Sequence, residues 1–523
     1  MTATDQIERD GYVVAERPTP GVPRPYDFPA IARTELDNGL TVLVADLPGR
    51  PLTSATIVLT TGAVDEPATE GGAAVLAARA LTEGTERYDA VALTEATERL
   101  GASLHADSGW DATSISVDVP TTRLGPALEL LAEVLLRPTF PPAEVERLRD
   151  ERLNDLLQAQ ADPRRRADEV FIDTIYSPDS PYHRPSGGMR ETVETLDADA
   201  LRRAYARAVD TSRATLVIGG DLGGQDVVAM ARDLLGSWAA SGSVDAPGHI
   251  VDGAATTARR IRVIHRPGAV QTEIRIGHPG LPRRIPDFHA VSVMSAILGG
   301  LFNSRLNMQL REAKGYTYGA SAGFDMRRGA GPFSARAAVN TEVTVPAVLD
   351  TLAELERMRD RPVEASELAA ARDFLVGVFP LRFETPGAVV GALAGLAVHD
   401  LPVDELIGYR DRIEAVDIEA VAVAARTHLQ VDRAAIVLVG DADAFGPALE
   451  AAGVGKVVVE RDDGPTTLGP IPEKLEVAVD EGEDAGPVVG ATKPDVPGPS
   501  SGDDSSGSGP ADDSSGRGSG SGG

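Results

Sequence analysis

The 523-residue chain carries 50 basic and 79 acidic residues, a formal net charge of −29, and 42 % of it is apolar. That field disfavours nucleic acid and anionic membrane and attracts basic peptides. The lack of cysteine excludes disulfides, thiolate metal sites and a Cys nucleophile.

Residues 1–30 are Pro-rich and read as irregular. The start, MTATDQIERDGYVV, has neither the basic nor the apolar region of a secretory signal. No run reaches the roughly 20 apolar residues that span a bilayer. A soluble cytoplasmic protein, with no membrane and no nucleic acid among its partners, is expected. In LDNGLTVLVADL the Asn38-Gly39 turn precedes a strand, and ATIVLTTGAVDEP reads as another strand that ends by Gly62. Glu70 to Thr85, EGGAAVLAARALTEGT, reads as an Ala-rich helix opening after Gly71-Gly72 and closing near Gly84.

From there the chain repeats with a period of about 220 residues. RATLVIGGD ends at Asp221 and RAAIVLVGD at Asp441, each a buried strand closed by a turn. PALELLAEVL begins at Pro126 and PAVLDTLAEL at Pro346, each with a proline suited to a first helical turn. Two strand-like stretches precede each, and a charged helix follows each. The body therefore reads as duplicated α+β halves, 31–243 and 259–470, joined by a linker at 244–258. Each half is expected to be a mostly antiparallel sheet with helices packed on one face. Beyond 471 the chain is Gly/Ser/Asp/Pro low complexity, 11 acidic and 3 basic residues up to Gly523, and reads as a disordered acidic tail.

NGLTVLV, then TGAVDEP, then the helix ending in EGT resembles the N-terminal signature of the insulinase/pitrilysin metallopeptidases, in their short, mitochondrial-processing-peptidase-like form. In active members that helix carries the inverted zinc motif H-x-x-E-H, two His on one helix face around a Glu base. The resemblance places those positions on Val75, Ala78 and Arg79. Val and Ala cannot ligate zinc, and Arg79 puts a cation where the metal would sit. The family's third ligand falls on Asp155, so a pairing of Arg79 with Asp155 is one expectation and a solvated helix face the other. No metal is expected in this chain.

None of the eight histidines pairs at i,i+4 or as H-x-H, which leaves no alternative metal motif; His183, in SPYHRPSGG, is given no catalytic role. In the second half, SAILGGLFNSRLNMQLREAKGYTYGASAGF spans 295–324. Asn303 or Ser304 is expected to cap a helix running to Arg311, Gly315 to end it, and Tyr316 to open a strand. The segment resembles the family motif L-G-G-x(3)-S-R-L-x(3)-L-R-E-x-x-G-x-x-Y. Its Arg and Tyr act at the zinc site of the opposite half or of a partner; here they are Arg311 and Tyr318, with Arg305 structural. Read without the resemblance, Arg311 is a cation at a helix C-terminus and Tyr318 a packed strand residue.

The combination implies one half of a clamshell peptidase chamber: a metal-free subunit that lends Arg311 and Tyr318 to a homologous partner carrying H-x-x-E-H and zinc. The implied substrates are unfolded or short peptides, bound by adding a strand to a sheet edge. A catalytically idle scaffold, or a peptide-binding regulator, is the alternative.

Overall fold

The computed structural model describes residues 7–9, 12–14, 21, 25–239 and 258–461. Most of the expected linker, the end of the second half and the acidic tail lie outside these residues. Within the segment expected to be irregular, β1 (Ile7–Arg9) and β2 (Tyr12–Val14) pair as a short antiparallel hairpin.

Apolar alternation and turn signals place six strands in the first half: β3 (Ile31–Glu35), β4 (Thr41–Asp46), β5 (Leu52–Leu59), β6 (Ser103–Ser108), β7 (Thr113–Pro120) and β8 (Ala214–Gly220). The second half supplies β9 (Arg260–His265), β10 (Gln271–Pro279), β11 (Ala320–Phe324), β12 (Pro332–Asn340), β13 (Ala435–Gly440) and β14 (Lys456–Arg461). The sheet orders are β3-β4-β8-β5-β7-β6 and, read from its β14 edge, β14-β9-β13-β10-β12-β11. The two match strand for strand. They differ at one edge: β3 comes before its repeat and runs antiparallel to β4, whereas β14 comes after its repeat and runs parallel to β9. The pairs β4/β8, β9/β13 and β9/β14 are parallel and the rest antiparallel, so the fold is α+β with two homologous halves.

One face of each sheet is buried by helices of its own half. Leu76, Leu131 and Leu201 pack with Ile57 and Ile115 in the first core; Val291, Leu352 and Val421 pack with Ile276 and Leu438 in the second. The other face is covered by a helix from the opposite half. Pro386–Val398 lays Val389, Val390 and Leu393 on Leu43, Val58 and Val217, and Pro163–Ile175 lays Ala167, Val170 and Phe171 on Ile264, Val437 and Val439. Each buried Val, Leu or Phe contributes about 1.5–3 kcal/mol, so this exchange fastens the halves firmly. A glycine in each sheet makes room for it. A Cβ on Gly219 would lie 2.9 Å from Val390, and one on Gly277 would lie 2.9 Å from Phe171.

Candidate functional site

The degenerate helix runs Ala73–Ala80, entered through Gly72 at φ +96, a left-handed conformation that suits glycine. Two N–H groups at its N-terminus are satisfied by Glu66 of the TGAVDEP segment. That carboxylate accepts from Gly72 N at 3.0 Å and Ala74 N at 2.6 Å, and pairs with Arg184 at 3.3 Å. Burial pushes the Glu66 carboxyl above its ordinary pKa, opposed by those N–H bonds and by Arg184. The acidic residue was plain in the sequence; its capping role was not, because the cap is made from outside the helix.

On this helix Ala78 is buried, and Val75 and Arg79 are half-buried. Arg79 extends to the helix Pro142–Ala161 and pairs with Glu151 at 3.1 Å. Glu151 also binds Arg147 at 2.6 Å, and Arg147 reaches Glu83 and Glu144, each at 2.7 Å. The expected Arg79–Asp155 pair is not formed. Asp155 is bound by Arg165 at 2.8 Å and by Arg152. Arg165 and then Arg152 hold the Asp155 carboxyl below its usual range, against some burial. Arg152 is in turn fixed to the Gly187 carbonyl at 2.9 Å. The physical reason for the correction is helix geometry: 151 and 155 share a face one turn apart, and the earlier turn lies opposite Arg79.

These residues do not fit zinc. Two positions offer no donor atom, the third is a guanidinium, and the retained carboxylate is engaged by two arginines. Among the described residues the one group of three that could hold a cation is His265, Asp441 and Asp443, in the other half. His265 Nδ1 already accepts Ala442 N at 3.1 Å, and Asp443 pairs with Arg461 at 2.7 Å.

The second motif is open. Arg305 is 5 % exposed at its side chain and grips Glu367 through two bonds of 2.7 Å. The segment Asn307–Ala313 winds as a π-helix, a wide turn frequent at functional sites. Ser304 does not cap it; its hydroxyl is buried and forms no hydrogen bond. Asn307 has the fastening role instead, donating to Leu301 O at 3.2 Å and accepting from Ala320 N at 2.8 Å. Gly315, at φ +63, ends the helix as expected. The strand begins at Ala320 rather than Tyr316, so Tyr318 sits in the preceding bend. Its side chain is 93 % exposed and makes no hydrogen bond to any described residue. Arg311 stacks on the ring of Phe302, 4.5 Å from its centroid, and Phe302 is itself 69 % exposed. Neither Arg311 nor Tyr318 hydrogen-bonds or ion-pairs with the helix Ala73–Ala80.

Residues 41–180 match the insulinase family (peptidase family M16), and residues 195–375 match the peptidase M16 inactive domain. An uncharacterized zinc protease of Mycobacterium leprae is 28 % identical over 59 % of this chain and 69 % of its own length. A non-peptidase homolog of Helicobacter pylori is 23 % identical over 60 % of this chain and 72 % of its own. The crystal structure of a peptidase M16 inactive domain from Pseudomonas fluorescens superposes with a TM-score of 0.73 at 25 % identity, covering 79 % of this chain and 98 % of that one. No single helix among the described residues is long and apolar enough to cross a membrane. The chain belongs to the insulinase family of peptidases, family M16, and its likeness extends to that family's catalytically inactive members.

Proposed function

We propose that this chain is the metal-free subunit of a heterodimeric insulinase-family peptidase and lends Arg311 and Tyr318 to the zinc site of a homologous, H-x-x-E-H-bearing partner. The observation that carries the reading is the contrast between the motifs: one is filled by its own ion pairs, and the other offers an exposed Tyr318 with no hydrogen-bond partner among the described residues. The partner's zinc would polarise the scissile carbonyl. Tyr318 then donates a hydrogen bond to the developing oxyanion, a contribution typically worth about 10²–10³ in rate. Arg311 presents its fork of donors to a peptide carbonyl or carboxylate. An extended peptide adds to the exposed edge strand β6, beside the degenerate helix. The net charge of −29 favours basic peptides in a cytoplasmic setting.

The test is reconstitution with a zinc-bearing homologue and a quenched fluorescent peptide. Cleavage is expected in the mixture alone, falling about a hundredfold or more in Tyr318→Phe with the complex intact. Full activity in both Tyr318→Phe and Arg311→Ala would favour the second reading, a scaffold or peptide-binding subunit, which the likeness to a non-peptidase homolog supports.

A further inference from the structure

Away from both motifs, an open cleft of ≈ 640 Å³ lies where the two halves meet. Its lining is of two kinds. Arg33 and Arg213 come from the first half, and Arg284 and Arg328 from the second. Leu43 of β4, with Leu401 and Val403 from the turn after Pro386–Val398, supplies apolar surface. Asp400 is the single carboxylate in the lining. It pairs with Arg284 at 2.7 Å, but the two side chains are 69 % and 90 % exposed, so water already competes for that bond. Arg33 is exposed and has no carboxylate partner among the described residues. The Arg328 guanidinium donates to the Thr60 carbonyl at 3.1 Å and stands 3.9 Å from Asp65, while its backbone N–H donates to Asp111 at 2.8 Å.

Arg33, Arg284 and Arg328 outnumber Asp400 and Asp65, which leaves the cleft positive in a chain of net charge −29. Gathering these arginines costs mutual repulsion, which a bound anion relieves. Guanidinium forks match phosphate and carboxylate oxygens. An open cleft of several hundred Å³, lined by charged and polar side chains with an apolar part beside them, has room for a small molecule.

We propose that this cleft binds a small organic oligoanion, a phosphate-bearing molecule with an apolar body. Arg33, Arg284 and Arg328 hold the charged end, and Leu43 and Leu401 cover the rest. The site is distinct from the Arg311/Tyr318 motif and stands or falls independently of it.

The experiment is isothermal titration of the full chain with ATP and with inorganic tripolyphosphate at low ionic strength. Both are expected to bind, ATP the more tightly, with affinity falling as salt rises. The double variant Arg33→Gln/Arg284→Gln alters two exposed side chains and is expected to keep the wild-type melting temperature. Its affinity should drop by at least about tenfold. No binding of either probe, or undiminished binding in the double variant, overturns the proposal. Equal affinity for the two probes overturns the apolar half of it.

Discussion

The guanidinium of Arg79 lies 3.1 Å from the carboxylate of Glu151, one helical turn before Asp155 on the helix Pro142–Ala161. Through it the degenerate helix joins a network in which Arg79 and Arg147 face Glu83, Glu144 and Glu151, while Arg152 and Arg165 hold Asp155 one turn on. A divalent cation brought here would meet Arg79 and would have to strip Asp155 of both its arginines.

Zinc and stability should therefore be uncoupled. Ions that bind only the folded state raise its stability, and chelators remove that gain. The purified chain is expected to hold far less than one zinc per molecule by atomic absorption. Its melting temperature should be the same in EDTA as in added zinc. A chelator-induced fall of several degrees would place a structural ion in the chain.

The two arginine clusters should respond differently to truncation. Arg147 is 45 % exposed at its side chain despite three partners, so solvent screens each contact. Arg147→Ala should cost only about 1 kcal/mol, and less at high salt. Arg305 is 5 % exposed and joins the π-helical segment to the helix Ala365–Val378 through Glu367. Burial raises the Glu367 pKa, but the Arg305 bonds outweigh it and hold the group below its ordinary value. Removing the partner strands that carboxylate, so Arg305→Ala should cost about 3 kcal/mol, little changed by salt. Urea denaturation at two ionic strengths separates the outcomes.

The duplication was legible because its landmarks are local. A β-branched run closed by Gly-Asp and a proline in a first helical turn keep their spacing in both halves. The exchange of helices across the halves was not. Pro386–Val398, PGAVVGALAGLAV, is apolar all round, which demands burial on several sides but does not name the sheet it covers. The positions of the degenerate motif could be counted, yet the partner of Arg79 could not. Residues 151 and 155 both face the same way, and only the packed distance between helices chooses between them. Tyr318 reads as a strand residue by alternation, but Gly315 leaves the chain in a bend until Ala320 enters the ladder. Glu66 is separated by six residues from the first N–H it caps, outside the span of a sequence-visible capping box.

Acid sensitivity should trace in part to His278. Its Nδ1 faces the Pro279 carbonyl at 2.8 Å and its Nε2 accepts Gln430 N at 3.0 Å, an arrangement open only to the neutral ring. Burial depresses its pKa to about 4. The folded protein thus binds this proton more weakly than the unfolded chain, whose His titrates near 6.5. The stabilisation is full above about pH 6.5 and is lost as the pH falls toward 4, on the order of 3 kcal/mol in all. Melting temperatures of wild type and His278→Gln, measured from pH 7 to 4.5, should converge as the pH drops. Parallel curves would remove His278 from the account.

Gly188 should be the most sensitive glycine beside the degenerate helix. It sits at φ +76, and a Cβ there would strike the Gly71 carbonyl, while a Cβ on Gly72 would lie 2.7 Å from the Gly187 carbonyl. Two glycine pairs thus meet backbone to backbone, with Thr192 Oγ1 donating to Gly71 O at 2.8 Å beside them. Left-handed backbone alone costs alanine about 1–2 kcal/mol, and the obstructing atoms are main chain that cannot swing aside. Gly188→Ala should lose about 3 kcal/mol or more. The displacement would also reach Asp155, because Arg152 bonds both that carboxylate and the Gly187 carbonyl. Gly125→Ala is the control: it lies in the helix Leu124–Leu136 with nothing within 4 Å of a new Cβ. It should gain about 0.4–1 kcal/mol. Urea midpoints of the two variants on opposite sides of wild type are the expected result, and a neutral Gly188→Ala would show that the loop has room the contact geometry denies it.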